Sequence, residues 1–327
     1  MKNIQTNNFS RVEWVDLLKG VSILWLILYH LYVYEWLNSP VPIFFFLSGM
    51  FYSDSTNFKH FIRKKTMSLL IPFIFFYILG ISVQLFNGIF GGNSYNWADL
   101  LLFFSLIPAD STIKNPLGVG AIWFLLCLYE IFVIYYLLRL ISTKTRFLVL
   151  TAFLCLIISS VLRHRYTMGS VFYLINALHF IIYFVLGNLT SKWVLNGKWK
   201  LWMLVLAIIA YMTRFIDLSY LHYMFVDFRD KLATFGLIFF LCFSFRWLAS
   251  SLNGKAVSLI RQFLLYEGKN SLTILGVHLL ILRAFTLFAN RFNLDIHYAL
   301  LFIFVCITCN VFIWLLNKYV PFLVGKK

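Results

Sequence analysis

Long apolar stretches separated by short polar breaks run along the chain from residue 14 to residue 317. Stretches of about 17 to 25 apolar residues are typical of helices that cross a bilayer, because each residue adds 1.5 Å to a helix. The pattern predicts an all-α, polytopic membrane protein with about ten transmembrane helices, of which the second and seventh are the shortest. They lie at 14–35, 41–54, 66–88, 119–140, 147–163, 170–190, 199–213, 231–249, 270–289 and 298–317.

The polar breaks are too short for a soluble domain, so we expect residues 1–327 to form a single membrane domain. The first apolar stretch is too long and too charged for a signal-peptide core, and no small-residue cleavage site follows it. We therefore expect this stretch to remain in the mature protein. All five cysteines lie inside apolar stretches, which indicates small buried side chains and predicts neither a disulfide framework nor a metal site.

The net charge of +16 raises the question of a nucleic-acid partner. The basic residues are scattered through short loops and form no stripe, so their distribution predicts no nucleic acid and indicates membrane orientation. With the N-terminus inside, 19 of the 28 Lys and Arg residues fall in inside loops and seven in outside loops; Lys19 and Arg283 lie within the membrane. This bias predicts an even number of helices with both termini cytoplasmic.

Three titratable residues enter the first predicted helix in the sequence RVEWVDLLKGVSILWLILYH, residues 11–30. At 100° per residue Lys19 and His30 are about 20° apart around the helix and about 16 Å apart along it, and Asp16 lies near the same line. Asp16 can pair with Lys19 three residues later, which lowers the cost of burying both. The pattern predicts one polar stripe that leads to His30, a candidate general base or acyl carrier. The alternative is a histidine hydrogen-bonded across a helix interface.

Other titratable residues lie deep in later predicted helices and are costly there without a partner. Glu130 lies in the fourth, His179 in the sixth and His278 in the ninth. A single hydrogen bond between helices would satisfy each of them. The sequence leaves both interpretations open, a site around His30 or isolated structural contacts.

A basic cluster, FKHFIRKK at residues 58–65, precedes the third predicted span. The positive-inside bias alone would account for it. The sharper hypothesis is an electrostatic site for a polyanionic cytoplasmic ligand such as a phosphorylated coenzyme.

Two predicted outside segments, at 86–121 and 214–231, are rich in aromatic and polar residues. Aromatic faces beside hydrogen-bonding groups suit sugar rings, although Trp and Tyr also gather at membrane interfaces by default. Both interpretations remain open from the sequence.

Five segments occur in an order that resembles the membrane-bound acyltransferase family 3. They are RVEWVDLLKGVSILWLILYH, VPIFFFLSGMFY, the basic cluster running into LLIPF, IWFLLCLYE and GKNSLTILGVHLL. The resemblance covers nearly the whole chain and is nearest to the stand-alone branch, similar to fucose-acetylase-like and enterobacterial-common-antigen-type O-acetyltransferases. Its most specific parts are two. The first is a basic residue and a histidine separated by ten residues, here Lys19 and His30, and the second is the FFLSG segment.

The resemblance implies an enzyme of the bacterial cytoplasmic membrane that moves an acetyl or other short acyl group from acyl-CoA to a hydroxyl of a cell-surface polysaccharide or its lipid-linked precursor. Acetyl-CoA would be the donor and no cofactor would be bound tightly. The implied partners are acetyl-CoA, the glycan acceptor and the lipid bilayer; a homo-oligomer is compatible with the sequence. The family often has two arginines three residues apart at the third span, whereas this chain has Lys65 and Ser68 there.

The residues expected to form the site fall into three groups. Catalysis is assigned to His30, Lys19 and Asp16, and coenzyme contacts to Arg63, Lys64, Lys65 and Ser68. A supporting or substrate-binding role is assigned to Ser48, Gly49, Trp123, Glu130 and His278, with Ser48 and Gly49 as candidate oxyanion donors. The competing hypothesis is an exporter or flippase of a polysaccharide or lipid-linked sugar that uses the same polar stripe as a path.

Overall fold

The computed structural model describes residues 12–31, 38–55, 57–91, 120–165, 172–197, 199–218, 222–251, 255–294 and 296–325. Over these ranges the chain is helical and contains no β-strand. The α-helices are α1 Glu13–His30, α2 Val41–Met50, α3 Phe58–Lys65, α4 Ile71–Gly91, α5 Trp123–Ile141, α6 Thr145–His164, α7 Leu174–Asn196, α8 Leu201–Met212, α9 Tyr223–Ser251, α10 Lys255–Lys269, α11 Ser271–Arg291 and α12 Tyr298–Tyr319.

Each of the ten predicted spans corresponds to one helical stretch. Within the described residues six stretches are long and apolar enough to cross a membrane, namely Phe58–Val83, Gly120–Ile141, Thr145–His164, Leu174–Asn196, Tyr223–Ser251 and Tyr298–Tyr319. Val41–Met50, Leu201–Phe215 and Ser271–Thr286 are apolar but shorter. Helix α1 is not among the six and carries three charged residues, Glu13, Asp16 and Lys19. The number ten and the sides of the termini stay predictions.

The structure differs from the predicted spans at two helices. Helix α9 begins at Tyr223, eight residues before the predicted start of its span, so Lys231 lies inside a helix and is 8% exposed, whereas Asp230 beside it is exposed. Helix α10 lies between the predicted spans 231–249 and 270–289, where no span is predicted. It is amphipathic, which is the pattern of a helix that is buried on one face only.

A π-helical turn, Thr66–Leu70, joins α3 to α4 without a break in the helix. Such turns are rare and occur often at functional sites. Here the turn directly follows the basic cluster at the end of α3. Relative to a regular helix, the turn therefore changes the direction in which the residues after Lys65 point.

The core of the bundle is aromatic and lies where α2 and α5 pack against α7. Phe45, Phe46, Phe184 and Tyr135 are at most 1% exposed there. Helix α1 packs mainly against α10 and α9 and touches α11. This arrangement brings the polar stripe of α1 next to α11, which carries His278, and next to α10.

Some predicted features lie outside the described residues. These are most of the aromatic outside segment 86–121, the last four residues of the first predicted span, the first two of the sixth, and the cytoplasmic Arg11.

Candidate functional site

The polar stripe of α1 begins with a carboxylate and an ammonium group at one end of the helix. Asp16 is 5% exposed, and the Lys19 Nζ lies 4.0 Å from its Oδ1, as the spacing of three residues predicted. The same ammonium lies 6.0 Å from the centre of the Phe51 ring at the end of α2. Lys19 therefore stands between α1 and α2 and carries its charge beside an aromatic face.

A close helix crossing holds this end of α1 in place. Gly20 lies so near the carbonyl of Leu264 on α10 that a Cβ atom would overlap it, and Gly268 lies equally near the carbonyl of Asp16. Only glycine permits two helix backbones to approach this closely. The crossing fixes the backbone from which Asp16 and Lys19 project.

At the other end of α1, His30 faces a second histidine. The ring centres of His30 and His278 on α11 are 5.3 Å apart and the ring planes are inclined by 39°. Tyr29 contacts the edge of His30 at 5.1 Å. The sequence named both histidines but gave no reason to bring them together, since they are separated by most of the chain.

The local structure of α11 fixes the tautomer of His278. Its Nδ1 lies 2.8 Å from the carbonyl oxygen of Ile274 one turn earlier. A carbonyl only accepts, so Nδ1 carries the proton and Nε2 is left with its lone pair. His278 is 0% exposed, and its Nε2 has no hydrogen-bond partner among the described residues. The ring therefore offers a buried, preoriented proton acceptor beside His30.

The predicted coenzyme contacts divide into two pairs. Arg63 and Lys64 are exposed at the end of α3. Lys65 instead lies with its Nζ 3.3 Å from the centre of the Phe132 ring, and Ser68 donates to the Lys65 carbonyl at 3.4 Å within the π-helical turn. Two cations thus remain available to solvent, while the third packs on an aromatic face.

The basic end of α3 and the Lys19 end of α1 lie near one another. Phe51, which contacts Lys19, is followed directly by Tyr52, whose ring lies 6.3 Å from that of Phe132. Lys65 covers the ring of Phe132. Both sets of cations therefore lie at the same end of the bundle, about 16 Å along α1 from His30.

The FFLSG segment lies in α2 and packs tightly. A Cβ atom on Gly49 would overlap the Phe184 carbonyl on α7, and the Gly49 carbonyl accepts from Asn188 Nδ2 at 3.2 Å. Ser48 is half-buried beside it. This environment gives Gly49 a packing role; an oxyanion role for either residue stays a prediction.

Trp123 and Glu130 both lie on α5. The Trp123 ring is 5.7 Å from Phe180 and 6.1 Å from Tyr173, so it belongs to an aromatic wall at the start of α5. Glu130 has one carboxylate oxygen that is buried without a hydrogen-bond partner in the described residues. The contacts found in the described part of the chain include none between Glu130 and His30 or His278. The role of Glu130 therefore stays a prediction.

An ion pair outside the predicted spans ties α10 to the first residue of α1. Glu13 Oε1 accepts from Arg261 Nε at 2.5 Å. The hydrogen bond from Arg261 holds the pKa of Glu13 below its usual 4.5. The pair adds a charged clamp to the glycine crossing of the same two helices.

A separate cavity of about 620 Å³ opens between α1, α10 and α12. Neither His30 nor His278 lines it, so it does not belong to the histidine pair. Its walls are almost entirely apolar: Leu24, Phe263, Phe302, Ile303, Cys306, Ile307, Asn310, Val311 and Trp314.

The described residues thus define a multi-pass helical membrane protein with two facing histidines inside the bundle and a basic surface at the opposite end of α1. The chain belongs to acyltransferase family 3, because the model of that family, described as an acyltransferase domain, matches residues 12–318. The match covers α1 to α11, α12 except its last residue, and every predicted site residue. It supports a transferase and gives no support to an exporter. Searches of curated proteins and of solved structures found no match.

Proposed function

We propose that this protein is a membrane O-acyltransferase that moves an acetyl or other short acyl group from acyl-CoA to a hydroxyl of a cell-surface polysaccharide or its lipid-linked precursor. The observation that carries the proposal is the pair of His30 and His278, whose ring centres are 5.3 Å apart. A neutral imidazole with a free lone pair is the usual group that removes a proton from a hydroxyl nucleophile.

The proposed reaction is a direct transfer. His30 removes the proton from the acceptor hydroxyl as its oxygen attacks the thioester carbonyl, a new C–O bond forms and the C–S bond breaks. The coenzyme leaves as a thiolate and receives the proton from His30. The Nε2 atom of His278, which has only acceptor capacity, orients an N–H of His30 or of the bound substrate towards the reacting centre.

The donor is proposed to enter at the Lys19 end of α1. Arg63 and Lys64 are exposed cations suited to coenzyme phosphates, and Lys19 stands between them and the histidines. The acyl arm then follows the stripe over about 16 Å to His30. In this proposal the donor binds on the cytoplasmic side and the acceptor nearer the outer side of a bacterial cytoplasmic membrane.

A test uses membranes that contain wild type, His30→Ala or an exposed control, His297→Asn, which keeps a capping side chain at the start of α12, with radiolabelled acetyl-CoA and the surface glycan analysed for acetyl groups. We expect His30→Ala to lose at least about 100-fold in transfer and the control to keep it. Full transfer by His30→Ala would refute the proposal. A strain that makes no surface polymer when the gene is deleted would indicate export instead.

Trapping separates direct transfer from an acyl carrier. After denaturation with labelled donor and no acceptor, direct transfer leaves no label on the protein. Label that is present in wild type and missing in His30→Ala would show that His30 carries the acyl group.

A further inference from the structure

A second polar cluster lies inside the bundle, between α6, α7 and α9, and the acyl-transfer proposal does not use it. Ser159, Asn176, His179 and Lys231 are each at most 8% exposed. Buried titratable groups in a membrane protein are costly and usually mark a binding site or pathway. This cluster therefore requires an explanation of its own.

The hydrogen bonds of the cluster have one consistent direction. Lys231 Nζ lies 2.5 Å from His179 Nε2 and donates to it, which leaves the ring proton on His179 Nδ1. That proton faces Ser159 Oγ at 3.3 Å, and the Ser159 hydroxyl donates to the Leu156 carbonyl at 2.8 Å. A cation beside the imidazole makes His179 a poor base, so the arrangement is not a nucleophilic triad.

Lys231 has no counter-ion among the described residues. Its other contacts are the ring faces of Phe180 and Tyr183, each 5.1 Å from Nζ, and no described carboxylate lies within 4.0 Å. Aromatic faces and one imidazole compensate an ammonium only in part. Of its three donors, one is used by His179.

The acidic groups of this region contact other partners. Asp227, one turn before Lys231 on α9, lies 3.4 Å from His164 Nε2, and Asp230 accepts from Arg229 at 2.8 Å. Neither carboxylate is close enough to neutralise Lys231 directly. Both carboxylates lie beyond 4.0 Å of Lys231 but still attract its ammonium, so the buried positive charge is compensated only in part.

A second cation increases the imbalance. Arg163 lies one turn after Ser159 on α6, donates to the carbonyl of the buried Asn176 side chain, and acts electrostatically on both His179 and Lys231. Two like charges at one buried cluster repel each other. A bound anion would reduce this repulsion and accept from the Lys231 hydrogens that His179 does not use.

The cluster lies near the start of α5, whereas Lys65 of the basic cluster contacts the middle of that helix. Phe180, which contacts Lys231, is 5.7 Å from Trp123 at the start of α5. Lys65 contacts Phe132, nine residues and about 13 Å further along the same helix. The two groups of cations are therefore separate sites.

We propose that Lys231, with His179 and Arg163, forms a buried binding site for an oxyanion, a phosphate or a carboxylate. Lys231 donates to the anion with the hydrogens that His179 does not use. The proposal of this anion site does not rest on the proposed acyl-transfer function.

The test measures thermal unfolding of the purified full-length protein in detergent. Inorganic phosphate and glucuronate are titrated against chloride of equal ionic strength, without acyl-CoA. The variants are Lys231→Met and Lys231→Gln, which remove the charge, and Lys231→Arg, which keeps it. Lys192→Met is the matched control, because Lys192 is an exposed cation on α7, the helix that carries His179.

We expect at least one of the two anions to raise the unfolding midpoint of wild type, Lys231→Arg and Lys192→Met. Removal of the charge should raise the half-saturating concentration at least about tenfold. A response to phosphate alone identifies a phosphate ester as the ligand group, and a response to glucuronate alone identifies a carboxylate.

No stabilisation of wild type above the chloride control overturns the proposal, whether or not the variants fold. An unchanged response in Lys231→Met also overturns it, since the anion would then bind elsewhere. Because no acyl donor is present, either result leaves the reaction at His30 untouched, and loss of transfer in His30→Ala leaves the anion site untouched.

Discussion

The replacement of His278 by leucine separates a catalytic contribution from a structural one. Leucine keeps the side chain buried and of similar size but removes both ring nitrogens. In the wild type Nδ1 donates a hydrogen bond to the Ile274 carbonyl, while Nε2 is buried without a hydrogen-bond partner in the described residues. The substitution therefore removes one satisfied group and one unsatisfied group together.

The two effects on stability have opposite signs. Loss of a net hydrogen bond costs about 0.5–1.5 kcal/mol, and removal of an unsatisfied buried group gains about 1–3 kcal/mol. We therefore expect His278→Leu to unfold within about 3 °C of wild type or above it. If Nε2 orients the reacting groups, transfer should fall by about 10²–10⁴-fold, or about 3–5 kcal/mol of activation free energy.

Two further variants sharpen the result. Glutamine places an amide oxygen near the position of Nε2, whereas asparagine reproduces only the contact of Nδ1. We expect His278→Gln to keep more transfer activity than His278→Asn when all proteins are assayed with saturating acetyl-CoA and compared by unfolding midpoint. Full transfer by His278→Leu, or loss of activity only in proportion to lost stability, would refute the reasoning.

Three other predictions concern the elements that support the site. The double variant Arg63→Gln with Lys64→Gln should raise the KM for acyl-CoA about three- to tenfold with little change in kcat, and added salt should shrink the difference; an unchanged KM would contradict the donor site. Gly20→Ala should lower the unfolding free energy by about 1–3 kcal/mol in a denaturation series, because its Cβ overlaps the α10 backbone; an unaffected midpoint would contradict that crossing. The lowered pKa of Glu13 gives a stability contribution that is present above pH 4.5 and lost as pH falls below it, so Glu13→Gln should flatten the pH dependence of the midpoint there, and an identical profile would argue against the Arg261 bond.

The sequence predicted the features of this protein that depend on local pattern. Helical period and burial cost placed Asp16 and Lys19 on one face of α1, and the two side chains lie 4.0 Å apart. Apolar length located each long helix within a few residues for most of the chain. Both results use only residues that are near one another in sequence.

Features that depend on the packing of distant helices were not accessible in this way. Nothing local in α1 indicates that His30 faces His278, because the approach of α1 and α11 is set by the whole bundle. The start of α9 was misplaced for a related reason. The charged residues before Lys231 resemble a loop, and the burial of Lys231 itself depends on partners such as His179 of α7 that the local pattern does not contain.

The two buried groups without a conventional partner have complementary chemistry. His278 Nε2 is an acceptor that lacks a donor, and the Lys231 ammonium is a donor that lacks an anion, both among the described residues. Both adjoin the start of α5, since Gly120 touches Leu279, next to His278, and Trp123 contacts Phe180, next to Lys231. An acceptor sugar that carries both a hydroxyl and an oxyanion has the matching pair of groups. Because a ligand can satisfy a buried group only if the protein leaves that group unsatisfied, the burial cost that drew attention to the stripe of α1 also supports the proposal that these two positions bind ligand groups.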